Sequence, residues 1–165
     1  MKSDSGRFIR NGCSDSRLQC LYMNARSIVN KKKELELTVR DEKLDIIAIT
    51  ESWLNVNITD EEMGIKGYTL FRKDRNDSVK RRGGRVAIYV KNELNPLHKP
   101  EINAEVFAES LWCSISCGNE STLLGVCYRA PDSSDVNDAN MYNLLNGVGN
   151  DRVIVMGDFN FAELD

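Results

Sequence analysis

RVIVMGDFN, residues 152–160, reads as a short apolar strand that runs straight into Gly157-Asp158-Phe159-Asn160. Successive strand residues point to opposite faces, so an unbroken apolar run needs cover on both. A carboxylate and an amide then stand where that strand stops. Three other segments end the same way: LQCLYM (18–23) at Asn24, LDIIAIT (44–50) at Glu51 and TLLGVC (122–127) at Tyr128. Strand ends of one sheet can converge on one rim, where layered folds place their chemistry. Two carboxylates, an amide and a phenol there suit a hard divalent cation such as Mg2+, with donors left over for a phosphate.

Each of the four also has a plainer reading. Glu51 can be the first solvated residue after a buried strand, and Asp158 a turn former between Gly157 and Asn160. Asn24 can cap the turn that follows it, and Tyr128 can be a core aromatic with a satisfied hydroxyl. The joint pattern is more specific than any member of it.

Further segments complete the outline. NKKKELELTVRDEK (30–43) predicts a helix, with Leu35 and Val39 on one face and Glu36 placed ahead of Arg40 in the favourable order. GYTLFR (67–72) and RVAIYVKN (85–92) read as strands, ESLWCSIS (109–116) and STLLGVCY (121–128) as a hairpin, and 137–147 as a short helix. Residues 1–17 read as an unstructured leader and 18–165 as part of one domain. Helix-linked strands at both ends with hairpins between them give an α+β class, a layered sandwich rather than a Rossmann sheet.

Composition narrows the function classes. The 165 residues carry 22 Lys+Arg, 25 Asp+Glu, one His and five Cys, with 41% hydrophobic residues. That is enough chain for a core and too apolar for disorder. No apolar run approaches the roughly 20 residues of a membrane span, and the polar start lacks the apolar stretch of a secretory signal. Five cysteines without a CxxC pair exclude a disulfide framework and a zinc cluster. Cys20, Cys113 and Cys127 lie in apolar runs and read as small buried hydrophobes. An intracellular, reducing compartment is expected. The net charge of −3 conceals a segment, RKDRNDSVKRRGGR (72–85), with seven basic and two acidic side chains. It is a candidate phosphate-binding loop through Lys80, Arg81, Arg82 and Arg85; the alternative is a solvated hairpin loop.

The stretches LYMNARSI (21–28), LDIIAITESWL (44–54), RGGRVAIYVKN (82–92), SLWCSI (110–115), LLGVCYRAPDSS (123–134) and VIVMGDFNFAELD (153–165) occur in an order and spacing that resembles the endonuclease/exonuclease/phosphatase domain, the DNase I-like fold. Within it, they are most similar to the apurinic-type endonuclease domain of non-LTR retrotransposon polyproteins. The resemblance implies two packed, mainly antiparallel sheets flanked by helices. It also implies Mg2+-dependent phosphodiester hydrolysis (Mn2+ as a substitute), DNA as partner, a nuclear location and a reverse transcriptase in the same polyprotein.

By the same resemblance, Glu51 would bind the metal with Asp158, and Asn24 would help position metal or phosphate. Tyr128 would hydrogen-bond the scissile phosphate, Asp158 would orient or activate the attacking water, and Asn160 would hold phosphate oxygens. Arg129, in the YRAP segment, would face the DNA. Two departures stand out. Arg85 occupies the place of a third glycine, and the Ser-Asp-His motif that gives the family its catalytic histidine is absent. His98, in NPLHKPEI, does not match it. The chain is therefore expected to be the front, truncated part of a domain of roughly 200–250 residues, inactive alone. Rival readings are a phosphatase of the same fold acting on a small phosphoester, and a non-catalytic nucleic-acid-binding remnant. A P-loop NTPase is excluded, because GxxxxGK[ST] is missing.

Overall fold

A computed structural model of the chain describes residues 7–13, 16–74, 85–103, 107–117, 120–149 and 152–161. Five strands, β1 (Arg7–Cys13), β2 (Ser16–Asn24), β3 (Ile46–Thr50), β4 (Tyr68–Lys73) and β5 (Val86–Lys91), form one sheet in the order β1-β2-β3-β5-β4. A second sheet runs β6 (Leu97–His98), β7 (Ser110–Cys117), β8 (Glu120–Tyr128), β9 (Val153–Asp158). One pair in each sheet is parallel, β2–β3 and β8–β9, and the other described pairs are antiparallel. Each parallel pair is joined by a helical crossover: α1 (Lys32–Glu42) links β2 to β3, and α3 (Asp135–Gly147) links β8 to β9. A single helical turn, α2 (Asp60–Met63), opens with a capping box between Thr59 and Glu62.

Strand alternation sorts the apolar residues into three cores. Ile46, Ala48, Val86, Ile88 and Val90 of the first sheet meet Leu111, Cys113, Ile115, Leu124 and Val126 of the second. The opposite face of the first sheet, with Ile47, Ile49, Ala87 and Tyr89, takes Leu35 and Val39 of α1. The outer face of the second sheet, with Trp112 and Cys127, takes Met141 of α3. The result is a helix–sheet–sheet–helix layering. It explains why β3 and β5 read as continuous apolar runs, since both of their faces are covered.

The first sheet begins earlier than the sequence suggests. Residues 7–13, expected in an unstructured leader, form edge strand β1 antiparallel to β2, with Phe8 opposite Cys20. An edge strand needs only backbone pairing, so RFIRN shows no two-sided apolar run to announce it. The two-residue strand β6 gives as little signal.

Candidate active site

Both parallel pairs carry their terminal polar residues to the same place. Asn24 lies opposite Thr50 at the end of β2–β3, one residue before Glu51, and Tyr128 lies opposite Asp158 at the end of β8–β9. The two sheets pack face to face, so the four ends meet. Asn24 Nδ2 donates to Glu51 Oε1 at 3.1 Å and to Asp158 Oδ2 at 3.1 Å. The Tyr128 hydroxyl donates to the same Glu51 oxygen at 3.2 Å. Residues 134 positions apart thus share one hydrogen-bonded cluster.

Asn24 Oδ1 is buried and has no hydrogen-bond partner. A buried acceptor left unpaired costs free energy, on the order of 1–3 kcal/mol. The Asn24 nitrogen faces both carboxylates here; with the amide turned over, the orphaned oxygen would join Glu51 and Asp158 in an all-oxygen set suited to a hard divalent cation. Among the described residues no three His, Cys, Asp or Glu side chains gather into a metal-binding group, at this rim or elsewhere, so the two carboxylates need the amide oxygen or water to complete a coordination sphere. Burial, and then the adjacent Glu51 carboxylate, push the Tyr128 phenol far above its ordinary value. It is a neutral donor at every physiological pH.

The backbone around Glu51 is held in an uncommon conformation. Glu51 (φ +48°) and Trp53 (φ +57°) face Arg26 (φ +43°) and Ser27 (φ +84°), all in the left-handed region that non-glycine residues avoid. Three backbone bonds tie the loops together: Ala25 N to Thr50 O at 2.9 Å, Ser27 N to Glu51 O at 3.0 Å, and Ile28 N to Ser52 O at 3.0 Å. They extend the parallel β2–β3 ladder past its regular end. Strain of this kind persists only where surrounding contacts over-determine it, and it fixes Glu51 in advance of any ligand.

Two glycines let the strands of the second sheet approach. A Cβ on Gly157 would stand 1.9 Å from the Cys127 carbonyl oxygen, so only glycine fits just ahead of Asp158. A Cβ on Gly125 would meet the Trp112 ring at 2.4 Å.

The arginines depart from the sequence expectation. Arg129, expected to face DNA, is 8% exposed and fully engaged. Its guanidinium grips Asp138 of α3 through Nε at 2.8 Å and Nη2 at 2.7 Å, and its Nη1 donates to the Asn160 carbonyl at 2.6 Å. It is a positioning residue, and Asp138 is a partner that nothing in the sequence pattern indicated. Asn160 stands two residues past Asp158, with Nδ2 donating to the Arg129 carbonyl at 2.8 Å. Arg85 is likewise turned inward, with Nε buried and unpaired, while its backbone N–H donates to Glu109 Oε2 at 2.8 Å. Arg72 is spent on Ile58 O, Asn55 O and Asp74. Lys80, Arg81 and Arg82 lie outside the described residues. His98 stacks on Phe71 with ring centroids 5.5 Å apart, on β6, at the opposite edge of the second sheet from Asp158.

No helix among the described residues is long and apolar enough to cross a membrane. Three solved structures illustrate the likeness. The endonuclease domain of TRAS1, a telomere-specific non-LTR retrotransposon, superposes with a TM-score of 0.64 at 18% identity, over 88% of this chain and 60% of that one. The apurinic endonuclease LMAP of Leishmania major gives 0.65 at 19% identity, over 98% and 57%. A mannosyl-6-phosphatase of Bacteroides thetaiotaomicron gives 0.58 at 14% identity, over 86% and 60%. The chain thus spans about three-fifths of the length of these structures. No curated protein sequence matches it. The family comparison matches residues 18–164, nearly the whole chain, and with the shared two-sheet architecture it establishes that the chain belongs to the endonuclease/exonuclease/phosphatase family.

Proposed function

We propose that this chain carries the metal- and phosphate-binding part of a Mg2+-dependent DNA endonuclease of a non-LTR retrotransposon. The observation that carries the reading is Asn24 joining Glu51 and Asp158, with its own Oδ1 unpaired. Glu51, Asp158 and Asn24 Oδ1 would hold the cation. When bound, such an ion neutralises phosphate oxygens and lowers the pKa of a coordinated water.

The chain's own residues do the rest. Tyr128, neutral and already donating, turns its hydroxyl from Glu51 to a phosphate oxygen. Asp158 accepts a hydrogen bond from the attacking water and orients it. Asn160, anchored through Arg129, offers its remaining amide hydrogen to the developing charge on phosphorus. His98 is elsewhere in the fold, so no imidazole of residues 1–165 protonates the leaving oxygen, and the chain alone is proposed to bind DNA without cutting it. The segment 75–84 supplies sequence-independent phosphate contacts through Lys80, Arg81 and Arg82. In this reading the protein works in the nucleus beside a reverse transcriptase of the same polyprotein.

A second reading, a phosphatase for a small phosphoester, is favoured by one observation: the likeness in fold to a mannosyl-6-phosphatase, TM-score 0.58, stands near that to the TRAS1 endonuclease domain, 0.64. The test is plasmid nicking beside release of phosphate from mannose 6-phosphate and inositol phosphates, each with Mg2+. It uses the chain alone and the chain completed with the C-terminal half of a family relative. Nicking by the completed protein, lost in Glu51→Gln, supports the endonuclease; phosphate release without nicking supports the phosphatase.

A further inference from the structure

Beside the proposed phosphate site stand two aromatic rings that belong to none of the three cores of the described residues. Phe161, one residue past Asn160, is 48% exposed, and Tyr142 on α3 is 52% exposed. They stack on one another with centroids 6.2 Å apart and planes inclined by 22°. The Arg129 guanidinium lies 4.5 Å from the centre of the Phe161 ring. Two large rings left half in water lose the burial that normally holds an aromatic in place. Here they are fixed instead by the Arg129–Asp138 pair beneath them and by the Asn160 contacts beside them.

We infer that Phe161 and Tyr142 form a stacking shelf for an unpaired nucleobase of the strand whose phosphate occupies the Asn24–Glu51–Asp158 site. The inference rests on the nucleic-acid reading above and names what that site takes beyond a phosphate. Three observations select a base over other occupants. The two rings lie within 22° of parallel in a stacked pair and stay half-exposed, which suits the addition of a further planar ring. It is continuous with the phosphate site, since Phe161 follows Asp158 by three positions on a rigidly tied segment. The Arg129 guanidinium lies 4.5 Å from the Phe161 ring centre and, paired with Asp138, holds that ring in place without adding free charge, so the shelf would take a base by stacking. Every base has a π-face, so a shelf of this kind favours single-stranded or distorted DNA without fixing its sequence.

The test is a binding measurement on the chain and needs no turnover. Fluorescence anisotropy compares a labelled oligoadenylate strand with an abasic strand of the same length and phosphate count. A 2-aminopurine in the first strand reports stacking by its quenching. Replacing Phe161 and Tyr142 together with Ala should weaken the adenine strand about tenfold or more and abolish the quenching, leaving abasic-strand affinity and salt slope unchanged. Phe161→Trp with Tyr142 retained should preserve both signals. Unchanged affinity of the double variant for the adenine strand, or equal losses on both strands, overturns the shelf while the nucleic-acid reading stands. A wild-type chain that binds neither strand overturns that reading, and the shelf with it.

Discussion

Arg129 and Asn160 hold one another reciprocally: the guanidinium of the first donates to the carbonyl of the second at 2.6 Å, and the amide of the second donates to the carbonyl of the first at 2.8 Å. This exchange staples the end of β8 to the segment that follows β9. The same guanidinium, paired with Asp138, holds that carboxyl below its ordinary range. Arg129→Met keeps an apolar stem and removes every donor, so the melting temperature at neutral pH should fall by several degrees. A carboxyl lowered in the folded state contributes stability above its unfolded value of about 4, and that contribution is lost as pH falls through the folded value. The melting curves of wild type and variant should therefore converge on acidification. A constant gap down to acid pH would show that the Asp138 pair is not what the variant loses.

Glu51→Gln keeps an oxygen for Asn24 and Tyr128 and removes the charge a cation needs. Metal affinity, followed by Mn2+ titration, should drop by at least 10–100-fold, roughly the loss seen even for outer-shell residues. The melting temperature of the metal-free protein should stay within a few degrees. Because Glu51 sits at φ +48°, Glu51→Gly should abolish metal binding too, while relieving strain on the order of 1 kcal/mol. Retained affinity in both variants would remove Glu51 from the site.

How much of this was legible in the sequence differs from residue to residue. The apolar runs of β3, β5, β7 and β8 are largely buried on both faces and those of β2 and β9 are part-buried, and packing of this kind writes itself into composition as runs of Val, Ile and Leu. Asn24, Glu51, Tyr128 and Asp158 were legible because each ends such a run. Arg129 was not, since its partners Asp138 and Asn160 are fixed by how α3 and β9 return to β8, and a basic residue beside a predicted DNA-facing rim looks the same whether it points out or in. Arg85 misled for a related reason: its backbone, rather than its charge, determines its place.

At Gly157 the space is set by backbone, which cannot move aside. Gly157→Ala would bring a Cβ against the Cys127 carbonyl and push β9 away from β8. A cost of about 1–3 kcal/mol or more follows from overpacking of this sort. Asp158 would be displaced along with the strand. The variant should lose stability and metal affinity together, whereas Gly147→Ala, in open space at the end of α3, should affect neither the site nor the metal. A Gly157→Ala protein with wild-type metal affinity would contradict this placement of β9.

Arg85 occupies a left-handed position, φ +71°, with its Nε buried and unpaired. Glycine adopts that conformation freely. Arg85→Gly should raise unfolding stability by about 1 kcal/mol through relief of backbone strain. It should leave DNA affinity and its salt dependence unaltered, because the side chain is 7% exposed. A reduced salt slope would return Arg85 to the phosphate-binding surface.

The cysteines give a probe of both sheets at once. Cys20 and Cys113 point into the core between the sheets, and Cys127 points to the outer face of the second sheet beside Trp112. Burial pushes the thiols of Cys113 and Cys127 up to about 12; burial, and secondarily the Asp45 carboxylate, push Cys20 up to about 11. A raised folded value means that the contribution to stability is fully present below the unfolded thiol value of about 8.5 and is lost as pH rises through 11–12. Melting temperature should therefore decline steadily above pH 9, and less steeply when Cys113 and Cys127 are both replaced by Ala. In a Cys13→Ser, Cys117→Ser background at pH 8, the three remaining thiols should react with a disulfide reagent only as fast as the fold opens. Addition of urea below the unfolding transition should then accelerate labelling in step with the lost stability. Prompt labelling of Cys113 in the native protein would mean that the two sheets are not packed together as described, and the shared site at their rim would have to be given up with them.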